Sequence, residues 1–110
     1  MTPTEAAASL LAQLGKPAPK DVLSLPGGRN NRVWRVECGT EAFLLKSYFW
    51  SESDPRDRLG QEWAFLEFLK SIGSSKAPEP LAKNAPSRFA LLEFIVGDPP
   101  QEITESDILD

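Results

Sequence analysis

A lysine inside the most apolar stretch of the central sequence is the feature that most restricts the fold. Lys46 lies in the run from Ala42 to Phe49. Side chains of a strand alternate between its two faces, so Leu44, Lys46 and Tyr48 are expected to share one face. A buried ammonium group is costly unless a carboxylate pairs with it. The fold must therefore supply a carboxylate, or leave Lys46 at a strand edge with its stem on apolar surface and its charge in water.

Glu62 is the carboxylate that the sequence offers. The spacing of apolar residues predicts a helix from Pro55 to Ile72, capped by Asp54. Three- and four-residue steps place one set of side chains on the face toward the core: Leu59, Glu62, Trp63, Leu66, Leu69 and Ile72. Glu62 is thus predicted to pair with Lys46. The alternative is a half-exposed helix charge next to Arg58, one turn earlier.

The rest of the chain predicts a small mixed domain. Four further strands are expected at Val22–Leu25, Arg32–Cys38, Leu81–Lys83 and Arg88–Val96. Gly39 and Thr40 form a hairpin turn between the strand ending at Cys38 and the strand that contains Lys46. Short helices are expected after the cap residues Thr2 and Thr104. The prediction is a single α+β domain over residues 1–110, with a five-stranded, mostly antiparallel sheet, one long helix packed on it and short terminal helices.

Composition excludes several classes of protein. With 12 basic and 16 acidic residues the net charge is −4, which argues against a nucleic-acid-binding protein. The absence of histidine removes Ser-His-Asp and Cys-His catalysis and most zinc sites. No stretch is apolar enough to span a membrane, and the N-terminus lacks the positive charge that opens a signal peptide. Because Cys38 is the single cysteine, an internal disulfide is excluded and a cytoplasmic location is expected. Binding of phosphate groups fits the remaining residue types better than hydrolysis does.

The Gly27-Gly28 turn between the first two strands has two interpretations. It can be a hairpin loop that uses glycine for its positive φ. It can also be a flap whose backbone N–H groups approach phosphates. The segment lacks the Gly-Lys-Ser/Thr ending of a Walker loop and the full Gly-x-Gly-x-x-Gly of protein kinases.

Taken together, these motifs resemble the N-terminal lobe of the aminoglycoside phosphotransferase and choline kinase family, which has a protein-kinase-like fold. The resemblance runs from about Val22 to the end of the chain. The matching segments are Leu25-Pro26-Gly27-Gly28 with Asn31 to Val36, Leu44-Leu45-Lys46-x-Tyr48, Arg58-Leu59-x-x-Glu62 with Leu66 and Leu69, Pro80, and Leu91 to Ile95 with Gly97.

The resemblance implies a role in ATP binding for each matching position. Lys46 would contact the α- and β-phosphates of ATP, and Glu62 would orient Lys46. The other implied positions are Gly27, Gly28 and Asn31 in the loop covering the phosphates, Leu44 against the purine ring, and the backbone of Glu93, Phe94 and Ile95 as the hinge that holds adenine.

The resemblance also implies a second, mostly helical lobe. The catalytic aspartate of the family's His-Gly-Asp…Asn loop and its Mg²⁺-binding aspartate belong to that lobe, so no catalytic residue or metal ligand is assigned in this chain. The parent enzyme would transfer the γ-phosphoryl group of ATP to a hydroxyl of an aminoglycoside, amino alcohol, sugar or amino acid. The isolated lobe is expected to be inactive and to self-associate through the side that its own C-terminal lobe would cover.

Two alternatives from other functional classes stay open. One is a non-catalytic nucleotide-binding or regulatory domain that is complete at 110 residues. The other is a protein-interaction domain that uses the same fold and ignores nucleotide.

Overall fold

The computed structural model describes residues 1–26, 31–48, 50–53, 56–73 and 77–94. In chain order the elements are α1 (Pro3–Gln13), β1 (Asp21–Leu25), β2 (Asn31–Cys38), β3 (Glu41–Tyr48), α2 (Arg58–Ser71), β4 (Pro80–Asn84) and β5 (Phe89–Glu93). The strands form one sheet in the order β1-β2-β3-β5-β4, and every neighbouring pair is antiparallel. The predicted α+β class with a five-stranded antiparallel sheet is confirmed.

The hairpin between β2 and β3 sets the register at the centre of the sheet. Gly39 adopts a positive φ of 62°, which a glycine tolerates without strain and a tight turn requires. Cys38 then faces Glu41, and Val33 faces Lys46. Because the side-chain period of a strand is two, this register decides which residues of β3 face α1 and which face α2.

Each face of the sheet carries one helix and its own apolar cluster. The α1 face contains Ala6, Ala7, Leu10, Leu11, Val36, Cys38, Phe43, Leu45, Ala82, Phe89 and Leu91. The α2 face contains Tyr48, Leu59, Leu66, Ala90 and Leu92, with Leu44, Trp63 and Leu69 partly buried against them. The alternation predicted for β3 is therefore correct, since Phe43 and Leu45 lie on one face and Leu44 and Tyr48 on the other.

The start of α1 follows the predicted capping pattern. Thr2 accepts a hydrogen bond from the N–H of Glu5 at 3.1 Å, and the Glu5 carboxylate accepts one from the N–H of Thr2 at 3.0 Å. This reciprocal pair satisfies two N–H groups that a helix start leaves unpaired. The hydrogen bond from the Thr2 backbone lowers the pKa of Glu5 from its usual value of 4.5.

The predicted start of the long helix is wrong, and its predicted end is correct to within one residue. α2 begins at Arg58, and its cap is Asp57, whose carboxylate accepts a hydrogen bond from the N–H of Gly60 at 3.0 Å. The predicted cap Asp54 lies outside the described residues. At the other end, Ile72 is the C-cap and is 62% exposed, so it leaves the buried stripe where α2 ends.

The last strand, β5, starts one residue later than predicted. Arg88 has a φ of 59°, a left-handed conformation that is incompatible with a strand, and β5 therefore begins at Phe89. Its predicted end at Val96 and the helix expected after Thr104 lie outside the described residues. In the described part of the chain, neither helix is long and apolar enough to cross a membrane.

Candidate functional site

Lys46 lies at the centre of the sheet, on the face that α2 covers. Its cross-strand neighbours are Val33 on β2 and Ala90 on β5. Along β3, Leu44 and Tyr48 are the next residues on the same face, and the Lys46 ammonium lies 5.4 Å from the centroid of the Tyr48 ring. The side chain is 2% exposed, so the snorkelling alternative is wrong.

Glu62 on α2 supplies the partner of Lys46. The lysine Nζ donates to both carboxylate oxygens of Glu62, at 3.0 Å to Oε1 and 2.9 Å to Oε2. Glu62 is itself buried, with 8% of its surface exposed, and lies between Leu59 and Leu66 on the same helix face. The structure thus brings together the two charged residues that the sequence predicted to pair, and the reading of Glu62 as a half-exposed charge is wrong.

The burial of the Lys46–Glu62 pair bears on whether the pair serves stability or another role. Moving two charges out of water costs several kcal/mol each, and their attraction offsets this cost only with good geometry. Replacing such a pair with apolar side chains of similar volume is often neutral or stabilising by about 1–4 kcal/mol. A requirement for stability alone therefore does not explain why Lys46 and Glu62 occupy these positions. What the pair provides chemically is an ammonium held at a fixed point on the face of a sheet.

The remaining predicted site residues fall into two groups. Gly27, Gly28 and Ile95 lie outside the described residues. Asn31 begins β2 and faces Tyr48 across the sheet. Leu44 lies two residues before Lys46 on the same face of β3 and is half-buried. Leu44 and Lys46 therefore lie side by side on the face of β3 that α2 covers.

Two contacts bear on the predicted hinge. The N–H of Glu93 donates to the carbonyl of Glu79 at 2.9 Å, and this donor is therefore engaged within the sheet. Phe94 follows β5, and the guanidinium of Arg35 lies 5.0 Å from the centroid of its ring. Since Arg35 faces Leu44 across the sheet, the Arg35–Phe94 contact borders the surface assigned to the purine.

The sequence did not predict a second concentration of charged side chains. At the end of the sheet where β3 stops and α2 begins, an open cleft of about 170 Å³ carries three arginines. We call it the arginine pocket; its lining residues are Tyr48, Trp50, Arg56, Asp57, Arg58, Leu59, Ala85 and Arg88. Arg56 and Arg58 flank the helix cap, but no sequence pattern connects them with Arg88, which the β4–β5 turn brings to the same place.

Comparisons with known proteins give no independent assignment. The chain matches no protein-family model, and a search of curated proteins finds no relative. Within the described ranges, no group of three His, Cys, Asp or Glu side chains is arranged to hold a metal ion.

Proposed function

We propose that this chain is the nucleotide-binding lobe of an ATP-dependent phosphotransferase that acts on a hydroxyl of a small molecule. The observation that carries the proposal is the buried Lys46–Glu62 pair between β3 and α2, with Nζ–Oε distances of 3.0 and 2.9 Å. In kinases, a strand lysine held by a helix glutamate contacts the phosphates of ATP. The pair is better explained by this task than by stability, because an apolar pair would stabilise the same site as well.

In such an enzyme, this lobe would bind the nucleotide and the second lobe would carry the catalytic groups, and the residue types of this chain fit the first task. Phosphoryl transfer depends on positioning and on charge stabilisation, to which a lysine contributes as a point charge. Lys46 would hold the α- and β-phosphates, while Leu44 and the backbone after Glu93 would hold the base. The Mg²⁺ ions and the catalytic aspartate would be supplied by a second lobe. The acceptor is proposed to be an aminoglycoside, amino alcohol, sugar or amino acid, and the location cytoplasmic, since Cys38 is a free thiol.

ATP titration of the chain, followed by nuclear magnetic resonance, tests the nucleotide part of the proposal. We expect saturable shifts of the amide signals of Leu44 and Phe94 with the wild-type chain. We expect none with Lys46→Met, whose spectrum without ATP must first show the signal dispersion of a folded protein. Lys20→Met is the matched control, since it removes one positive charge from an exposed lysine before β1. Equal ATP binding by the wild type and by Lys46→Met would refute the assignment of the lysine.

The coding sequence downstream of codon 110 tests the phosphotransfer part. A His-x-Asp…Asn loop followed by a further aspartate would supply the catalytic base and the metal ligands that the proposal requires. A stop codon directly after codon 110 would remove phosphotransfer and leave a nucleotide-binding or regulatory domain.

A protein-interaction domain is the second candidate, and one observation favours it. Phe68 on α2 and the C-cap residue Ile72 lie four residues apart and are 57% and 62% exposed, so they form an apolar pair on the surface. The same surface would explain self-association of an isolated lobe. In this case, the Lys46→Met substitution would change stability and leave every binding property of the chain unaltered.

A further inference from the structure

The strand β1 is an open edge of the sheet. It is the first strand in the order β1-β2-β3-β5-β4, and among the described residues it pairs with β2 alone. Its five residues span about 17 Å at ~3.4 Å per residue. An edge strand presents backbone N–H and C=O groups that face away from the sheet and can pair with another strand. The outer side of β1 is therefore a template for one further strand.

The opposite edge of the sheet, β4, carries features that protect an edge, and β1 lacks them. β4 begins with Pro80, contains Lys83, and has an irregular register between Pro80 and Ala82. Pro80 and Ala82 are also buried, whereas no residue of β1 is. Proline, lysine, bulges and burial are the means by which proteins prevent pairing at an edge. The four residues of β1 after Asp21 are neither charged nor proline, so nothing in them opposes the addition of a strand.

The side chains of β1 offer an added strand an apolar contact. Leu23, at the centre of β1, is 47% exposed. Leu25 is half-buried and, because side chains of a strand alternate, lies on the same face as Leu23. A strand added beside β1 would place its own residues directly opposite these two leucines, at the ~4.5–5.5 Å Cβ spacing of cross-strand pairs. The first requirement for the partner is therefore a pair of apolar residues two positions apart.

The charge of the partner follows from Asp21, the one charged residue of β1. In the β1–β2 register Asp21 faces Glu37, and like charges directly opposite each other destabilise a pair of strands. The Glu37 carboxylate lies 3.6 Å from the Nε of Arg35, whereas Asp21 makes no ion pair with any described residue. Asp21 is exposed and shares a face with Leu23. A lysine or arginine opposite Asp21 in the added strand would neutralise this carboxylate.

We propose that β1 binds an extended peptide segment of another protein, which joins the five-stranded sheet as a further strand. The backbone of the segment hydrogen-bonds to the outer N–H and C=O groups of β1, the mode of recognition known as β-strand addition. The segment runs antiparallel to β1, as every neighbouring pair in this sheet does. It carries apolar residues opposite Leu25 and Leu23 and a lysine or arginine opposite Asp21. The site is separate from the Lys46–Glu62 pair and does not depend on the proposed nucleotide function.

Titration of the full chain with the end-blocked peptide Ser-Val-Thr-Val-Thr-Lys-Ser, followed by nuclear magnetic resonance, tests the proposal. We expect saturable shifts of the amide signals of residues 22–25. The amides of β1 that face outward should exchange with solvent more slowly when the peptide is bound, because they become hydrogen-bonded. The same peptide with glutamate in place of lysine should bind about fivefold more weakly, since it places a like charge opposite Asp21.

Exchange of the charge on β1 makes the test specific. Asp21→Lys should reverse the preference, so that the glutamate peptide binds about fivefold more tightly than the lysine peptide. Glu67→Lys is the matched control, because it makes the same change of charge at an exposed position of α2, and it should leave the wild-type preference unchanged. If Asp21→Lys does not fold, Asp21→Asn decides, and it should bind both peptides equally.

The other outcomes overturn the proposal. Absence of saturable shifts, or equal binding of the two peptides by the wild type, removes β1 as a peptide site of this charge preference. Shifts confined to the amides of Phe68 and Ile72 place the peptide on the surface of α2 instead. Shifts of the β1 amides that grow with protein concentration when no peptide is present show that a second copy of the chain occupies the edge.

Discussion

Removing one partner of the Lys46–Glu62 pair should lower the free energy of unfolding far more than removing both. Lys46→Met keeps most of the apolar stem and deletes the ammonium that neutralises the Glu62 carboxylate, of whose side chain 11% is exposed. Breaking a buried pair in this way costs about 3–5 kcal/mol. A domain of this size has about 5–15 kcal/mol of stability in total, so the variant loses a large fraction of it. Glu62→Leu removes the carboxylate that neutralises the Lys46 ammonium and should lower the free energy of unfolding by a similar amount.

The double variant Lys46→Met/Glu62→Leu should recover nearly all of this loss. With both charges gone, the site is filled by apolar side chains between Leu44, Tyr48 and Leu66, and the free energy of unfolding should return to within ~1 kcal/mol of the wild type or exceed it. The coupling energy between the two substitutions should then be about 3 kcal/mol or more.

The wild type, the two single variants and the double variant form a double-mutant cycle. Urea unfolding, followed by tryptophan fluorescence, measures the free energy of unfolding of all four proteins. Lys20→Met is the control for loss of one exposed positive charge, and it should change stability by less than ~0.5 kcal/mol. If a single variant is unfolded in buffer, the four proteins can be compared at a fixed sucrose concentration, which strengthens burial in each of them. Single costs below ~1 kcal/mol would mean that the pair behaves as a surface ion pair. A double variant that loses the sum of the single costs would mean that the two residues are not coupled, and either result refutes the reasoning.

The same four proteins separate stability from function. If the ion pair exists to hold phosphates, the double variant should be as stable as the wild type and should fail to bind ATP. If the pair has a structural role alone, the double variant should keep whatever binding activity the wild type has.

Four further predictions concern other parts of the fold. Asp57→Ala should destabilise the chain by about 0.5–2 kcal/mol, because it removes the cap of α2. Gly60→Ala should not stabilise the wild type, since its new methyl group would collide with the capping carboxylate of Asp57. In the Asp57→Ala background the same substitution should stabilise the helix by up to ~1 kcal/mol. Equal effects in both backgrounds would contradict this coupling. Because the backbone hydrogen bond at the helix start lowers the pKa of Glu5, its contribution to stability is full above its unfolded pKa near 4.5 and is lost as the pH falls through the folded pKa. The difference in unfolding free energy between the wild type and Glu5→Gln should therefore shrink below pH 4.5, and a constant difference would contradict the shift. Phe68→Ser/Ile72→Ser should convert a self-associating chain into a monomer by light scattering, whereas a wild-type monomer at tens of micromolar would contradict the expected self-association.

The parts of the fold that the sequence predicted correctly are those with strong local patterns. The Gly39 turn fixes the β2–β3 register, and alternation along β3 then places Lys46 on the face opposite Leu45. Helical spacing places Glu62 between two buried leucines. A buried ammonium allows few solutions, so these two local patterns were enough to predict a contact between residues sixteen positions apart.

The errors arose where two local signals compete or where tertiary structure decides. Asp54 and Asp57 are both good cap residues, and the choice between them depends on which carboxylate reaches an N–H group of the first turn, as Asp57 reaches Gly60. The arginine pocket depends on Arg88, whose approach to Arg56 and Arg58 follows from the β3–β5 pairing and from no feature of the neighbouring sequence.

The order of the strands makes the two halves of this chain dependent on each other for folding. The first half ends with β3, and the second half begins with α2. α1 belongs to the first half, yet it packs against β4 and β5 of the second. In return, α2 from the second half provides the carboxylate that neutralises Lys46 in the first. Neither half can therefore bury its own apolar surface or balance its own charge. A cut in the segment between Tyr48 and Arg58 should yield two fragments that are unfolded when separate and that assemble when mixed.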